Sequence, residues 1–172
     1  EYAKFIKSFA EKLHLKDYIL VGKSFGGRIA TYYASKWPKD IQKLILVSAA
    51  GIEKKSLFIK TIILLAKLLK AIFQSLCPSI IKKGNIHRKD TPYKYAVKKK
   101  VTNFDLTEYT KEIQIPTLIV WGRNDKILPL TIGERLNKYI RGSVLKVIPG
   151  GHNAHQESAK EFNKIVNEFI SQ

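Results

Sequence analysis

Tyr18-Ile19-Leu20-Val21-Gly22-Lys23-Ser24-Phe25-Gly26-Gly27 says more about the fold than any other stretch of the 172-residue chain. Its first four residues are a short apolar run ending at Gly22, the pattern of a buried strand. Gly27 to Lys36 then reads as a helix, stopped by Pro38. Between strand and helix lies Gly22-x-Ser24-x-Gly26. With ten Gly and ten Ser in the chain, chance yields about 0.03 copies of that pattern. A sharp strand-to-helix turn pushes the Ser24 hydroxyl beyond the sheet edge. Glycines two before and two after, Gly22 and Gly26, let the neighbouring chain pass without a Cβ clash. The following helix aims its N-terminus at the same place, so the Phe25 N–H can face a developing oxyanion. The competing reading is a Gly-rich turn in which the serine is incidental.

Outward from this turn, strands and helices alternate. Tyr2, Phe5, Ile6, Phe9 and Leu13 form one stripe of an opening amphipathic helix. Lys43 to Ser48 is a second buried strand, and Thr117 to Trp121, after Pro116, a third. Residues 131 to 140 predict a helix and Val144 to Ile148 a fourth strand. Gln156 to Ile170 is a closing helix with Phe162, Ile165, Val166 and Phe169 on one face. The order predicts an α/β fold, a mostly parallel sheet covered by helices on both faces. Residues 1–52 and 105–172 build this core, and residues 53–104 are an insert.

A serine nucleophile needs a base, and the base needs an orienting carboxylate. The four histidines are His14, His87, His152 and His155. His14 is on the first helix and His87 in the insert. His152 follows the fourth strand, where ligands bind in open α/β sheets. His155 is assigned to packing or capping near Glu157. Asp125, just past the third strand in Trp121-Gly122-Arg123-Asn124-Asp125, is the candidate acid, with a plain turn role as its competitor. Ser24, Asp125 and His152 each follow a different strand, in the order Ser, Asp, His.

The charge is unevenly spread. The chain carries a net +17, and residues 53–104 hold 13 basic against 2 acidic side chains. Residues 105–172 hold 9 and 8, so the excess does not belong to the part carrying Asp125 and His152. Within the insert, Leu57 to Leu76 reads as an amphipathic helix with a wide apolar face and Ser56, Lys60, Lys67, Lys70 and Gln74 on one arc. Lys67 and Lys70 near its centre argue against a membrane span. A helical lid over a pocket is the favoured reading, and a weak contact with an anionic membrane surface is its variant. Lys outnumbers Arg 26 to 5, against Arg's role in bidentate phosphate recognition, so no nucleic-acid partner is expected. The single Cys77 excludes an internal disulfide and a Cys-based zinc cluster. No metal or cofactor is expected.

These motifs together resemble the α/β-hydrolase superfamily, in its lidded esterase-like branch. VGKSFGGRIA (21–30) is similar to the nucleophile elbow of that family, IPTLIVWGRNDKILP (115–129) to its acid strand and loop, and VIPGGHNAHQESAKEFNKIVNEFI (147–170) to its histidine loop and final helix. Lys23 stands where the family often has His. The resemblance implies a serine hydrolase with Ser24 as nucleophile, His152 as base and Asp125 as acid. It acts on an apolar small-molecule acyl substrate, a carboxylic ester first of all. C–C bond hydrolases, aminopeptidases and thioesterases share the same three residues. The four strands match the last four of an eight-stranded sheet, and the insert matches the usual cap position. The chain starts at Glu1, has no Met and opens on an uncapped helix, so an upstream part of the domain is expected. That part would hold the second oxyanion donor; the alternatives to a hydrolase of this kind are an inactive fragment and a basic membrane-surface module. Cytoplasmic localisation is the working expectation, with targeting left open by the missing start.

Overall fold

The computed structural model describes residues 1–52 and 104–172. The expected lid, with Leu57 to Leu76, His87 and Cys77, lies outside them. Both flanks of the insert pack as one unit. In chain order it contains α1 (Tyr2–Lys12), β1 (Tyr18–Lys23), α2 (Phe25–Lys36), a 3-10 turn (Pro38–Asp40) and β2 (Ile41–Val47). After the insert come α3 (Thr107–Lys111), β3 (Thr117–Gly122), α4 (Leu130–Tyr139), β4 (Val144–Ile148), α5 (Ala154–Glu157) and α6 (Ala159–Ile170).

The four strands form a wholly parallel sheet in the order β1-β2-β3-β4. Leu46 lies opposite Ile119, and Ile119 opposite Leu145. Alternation along each strand divides the core. Leu44, Leu46, Ile119 and Trp121 face one layer with Tyr33 and Leu136. Ile45, Val47, Leu118 and Val120 face the other, where Phe162, Ile165, Val166 and Phe169 of α6 cover them. That two-sided burial explains the unbroken apolar runs of β2 and β3. β1 differs from the expectation of a buried strand. It is half-buried and Val21 is 56% exposed, because β1 has a single strand neighbour among the described residues.

Lys43 is a cation in the apolar β2 run, yet it is buried. Its Nζ donates to the carbonyls of Phe169 (2.9 Å) and Ile170 (3.0 Å). It thereby caps the C-terminus of α6, where the last carbonyls lack partners and the helix dipole favours a cation.

Two elements depart from the sequence reading. α3 was not expected. Asp105 starts it by accepting from the Thr107 N–H (3.0 Å) and hydroxyl (2.6 Å). The closing helix is not continuous from Gln156. Ser158 leaves helical geometry (φ −123°, ψ 48°) and donates its hydroxyl to the Pro149 carbonyl at 2.9 Å, separating α5 from α6. The break arises because residues 154–158 also serve the loop before them.

Candidate active site

Each strand ends in a parallel sheet at the same edge, so the segments after β1, β2, β3 and β4 converge there. Ser24 occupies the turn between β1 and α2 with φ 49° and ψ −114°, a left-handed backbone that costs a non-Gly residue about 1–3 kcal/mol. The turn is held from both sides. Ser24 N–H donates to Val47 O (3.0 Å), and Ser24 O accepts from Ala50 N–H (3.0 Å). Phe25 opens α2, so its N–H has no acceptor within the helix.

The glycine pattern needs one correction. A Cβ on Gly22 would meet Ala30 Cβ at 2.6 Å and Gly26 O at 2.7 Å, so crowding there is real. A Cβ on Gly26 would meet nothing within 4 Å among the described residues. The close approach falls one residue later. A Cβ on Gly27 would lie 2.4 Å from Ala49 Cβ, where α2 crosses the end of β2. Gly26 therefore contributes its carbonyl to the packing against Gly22, not the space of its missing side chain.

His152 sits on the loop after β4. Its Nε2 is 2.9 Å from Ser24 Oγ, and its Nδ1 is 2.8 Å from Asp125 Oδ2. The Asp125 side chain is fully shielded from solvent, and its other oxygen accepts the Ile127 and Leu128 N–H groups, both at 2.9 Å. Burial pushes this carboxyl up. The Leu128 N–H, His152, the Ile127 N–H and the Ser48 hydroxyl more than offset it, so the group lies below its ordinary value. It is a carboxylate at neutral pH and can hold Nδ1–H, leaving Nε2 to face the serine.

The histidine loop has its own supports. Asn124 N–H donates to Gly150 O (2.9 Å), and Gly151 N–H to Glu157 Oε2 (2.7 Å). Gly122 lets the loop cross β3, since a Cβ there would lie 2.0 Å from Gly151 O. His155 points elsewhere. Its ring meets Phe162 edge-on at 6.0 Å, and its buried Nδ1 has no hydrogen-bond partner among the described residues. Burial, the Lys23 charge and His152 lower its pKa, and Glu157 opposes them. His14 lies just past α1 in left-handed backbone.

Sequence reasoning missed Ser48. It is buried, has φ 42° and sits at the end of β2, the same topological position that singled out the other site residues. Among the described residues no group of three or more His, Cys, Asp or Glu side chains is arranged to hold a metal.

A family model described as "Serine aminopeptidase, S33" matches residues 1–103, more than half of the chain. The chain belongs to the α/β-hydrolase superfamily. Among curated relatives of this hydrolase chain, a 2-hydroxy-6-oxononadienedioate/2-hydroxy-6-oxononatrienedioate hydrolase 1 of Pseudomonas putida is 30% identical, covering 98% of the chain and 68% of the relative. A hydrolase named for the same substrates in Klebsiella pneumoniae is 28% identical, covering 98% and 67%. The chain thus spans about two thirds of the length of these relatives. The crystal structure of an α/β-hydrolase enzyme from lagoon-sediment metagenome of Mar Chica, Morocco, superposes with a TM-score of 0.74 at 22% identity, over 99% of the chain and 68% of its own. That likeness establishes the fold.

Proposed function

We propose that this protein is a serine hydrolase that cleaves an acyl substrate through a covalent acyl-enzyme. The supporting observation is the continuous line from Ser24 Oγ through His152 to the buried Asp125, at 2.9 and 2.8 Å. In this reading His152 Nε2 takes the hydroxyl proton as Ser24 attacks the carbonyl carbon. Asp125 keeps the proton on Nδ1 and stabilises the imidazolium that forms. The Phe25 N–H is one donor to the tetrahedral oxyanion. His152 then returns the proton to the leaving group, and a water activated by the same nitrogen hydrolyses the acyl-Ser24 ester. The apolar sequence of residues 57–76 favours an apolar acyl group.

A carboxylic ester is the simplest substrate for this chemistry. A second reading is carbon–carbon bond hydrolysis, favoured by relatives named for 2-hydroxy-6-oxononadienedioate that match 98% of the chain at 28–30% identity. Such a molecule offers a ketone carbonyl to the same nucleophile. The test is steady-state hydrolysis of a p-nitrophenyl ester series beside a 2-hydroxy-6-oxo-dienoate, using the full-length protein and its Ser24→Ala variant. Loss of kcat should approach a million-fold, roughly, if the three residues act as a unit. Equal rates in the two proteins contradict the assignment, and the better substrate chooses between the two bond types.

A further inference from the structure

The turn that carries Ser24 and the loop that carries His152 are joined by two side-chain hydrogen bonds, not one. Ser24 and His152 form the first. The second joins their immediate neighbours: Lys23 Nζ donates to Asn153 Oδ1 at 2.6 Å. The dipeptides 23–24 and 152–153 are thus cross-linked twice, although they lie 130 residues apart in the chain. The other supports of the histidine loop lead elsewhere. Asn124 ties it to the end of β3, and Glu157 and Ser158 tie it to the α5–α6 junction. Among the described residues, none of these reaches the turn that carries Ser24.

We propose that Lys23 and Asn153 form a positioning pair that sets the distance between the Ser24 hydroxyl and His152, a role that rests on Ser24 being the nucleophile. Lys23 is suited to it. It is the last residue of β1, so its backbone is fixed by the sheet, and an ammonium is a donor with no acceptor, which requires the amide oxygen of Asn153 to face it. Asn153 is equally anchored. It is the N-cap residue of α5, and its carbonyl accepts the N–H groups of Gln156 (2.8 Å) and Glu157 (3.0 Å). The backbone at both ends of the link is therefore anchored, and the Ser24–His152 pair lies between the two anchors. Lys23 touches no reacting atom and acts through His152.

The experiment measures the second-order rate at which a fluorophosphonate inactivates the full-length protein, and kcat and KM for a p-nitrophenyl ester. Wild type and Ser24→Ala establish the underlying reading first. Equal behaviour of these two overturns the nucleophile assignment and the pair with it. Given a reactive wild type, Lys23→Met should lower both the inactivation rate and kcat about three- to tenfold with KM unchanged, the pattern of lost alignment, not lost binding. Asn153→Leu should do the same, and the double variant should be no slower than either single one, because both remove one interaction. Lys23→Arg, which keeps the donor, should recover at least half of the wild-type rate. Wild-type rates in Lys23→Met, losses that multiply in the double variant, or a Lys23→Arg as slow as Lys23→Met would each overturn the pair while leaving Ser24 as nucleophile. If one single variant does not fold, the other together with Lys23→Arg decides the matter.

Discussion

Asp125 shows how much of the site depends on single hydrogen bonds. Both carboxylate oxygens are engaged, one by two loop N–H groups and one by His152. Asp125→Asn keeps an oxygen for Ile127 and Leu128 but turns an NH₂ group toward Nδ1. The imidazole must then carry its proton on Nε2, facing Ser24, where it cannot accept one. We expect kcat to fall on the order of 10⁴-fold with the melting temperature little changed, measured by ester hydrolysis and circular dichroism. A fall below tenfold contradicts this role. Asp125 and His152 were legible because each follows an apolar strand and is a residue type that the chemistry needs. Ser48 was not, because its contribution is a contact with Asp125 from another strand end, and no local pattern records such a contact.

At the scale of elements, the strand-to-helix turn is defined by how closely α2 passes β2. Gly27 permits that approach, and Gly26 faces open space among the described residues. Gly27→Ala should therefore destabilise the protein by about 1–3 kcal/mol, the range of overpacking in a tight core. Gly26→Ala, within the first turn of α2, should be neutral or stabilising by up to about 1 kcal/mol, since alanine loses less backbone entropy. Urea unfolding of the two variants compares them directly, and equal losses contradict the geometry. The pattern Gly-x-Ser-x-Gly-Gly does not say which glycine is crowded, because the answer lies in Ala49, more than twenty residues away. The same holds for the break at Ser158. The apolar stripe of residues 162–169 is periodic enough to reveal α6, but the departure at Ser158 depends on its bond to Pro149 across the histidine loop.

For the whole molecule, acid should act in two stages. His155 is held below its ordinary value of 6.5, so the unfolded chain binds this proton more readily. Stability from this group is complete above 6.5 and is lost as pH falls from there through the folded value. Asp125 and Asp40 are depressed below 3.8. Burial raises Asp40, but bonds from Lys7 and Tyr33 outweigh it. Their stabilisation is present above 3.8 and is lost as pH falls through their folded values. The melting temperature should decline already as pH falls below 6.5, before the carboxylates titrate, and His155→Gln should flatten that part of the curve alone. Parallel curves for the two proteins contradict this. The parallel sheet and its cover on both faces could be read from the alternation of apolar strands with helices, and the near-neutral balance of residues 105–172 from residue counts. The half-exposed state of β1 could not, because an apolar run does not reveal how many neighbours its strand has.

Ser24 is proposed as the residue that bonds to substrate, and the protein offers a built-in control. Ser48 is also a serine in left-handed backbone at the end of a strand, and its hydroxyl meets the same Asp125. Treatment of the full-length protein with a fluorophosphonate, followed by proteolysis and mass spectrometry, separates the two. One adduct is expected, on the peptide containing Ser24, and none in Ser24→Ala. An adduct on Ser48, or labelling that persists in Ser24→Ala, would contradict it.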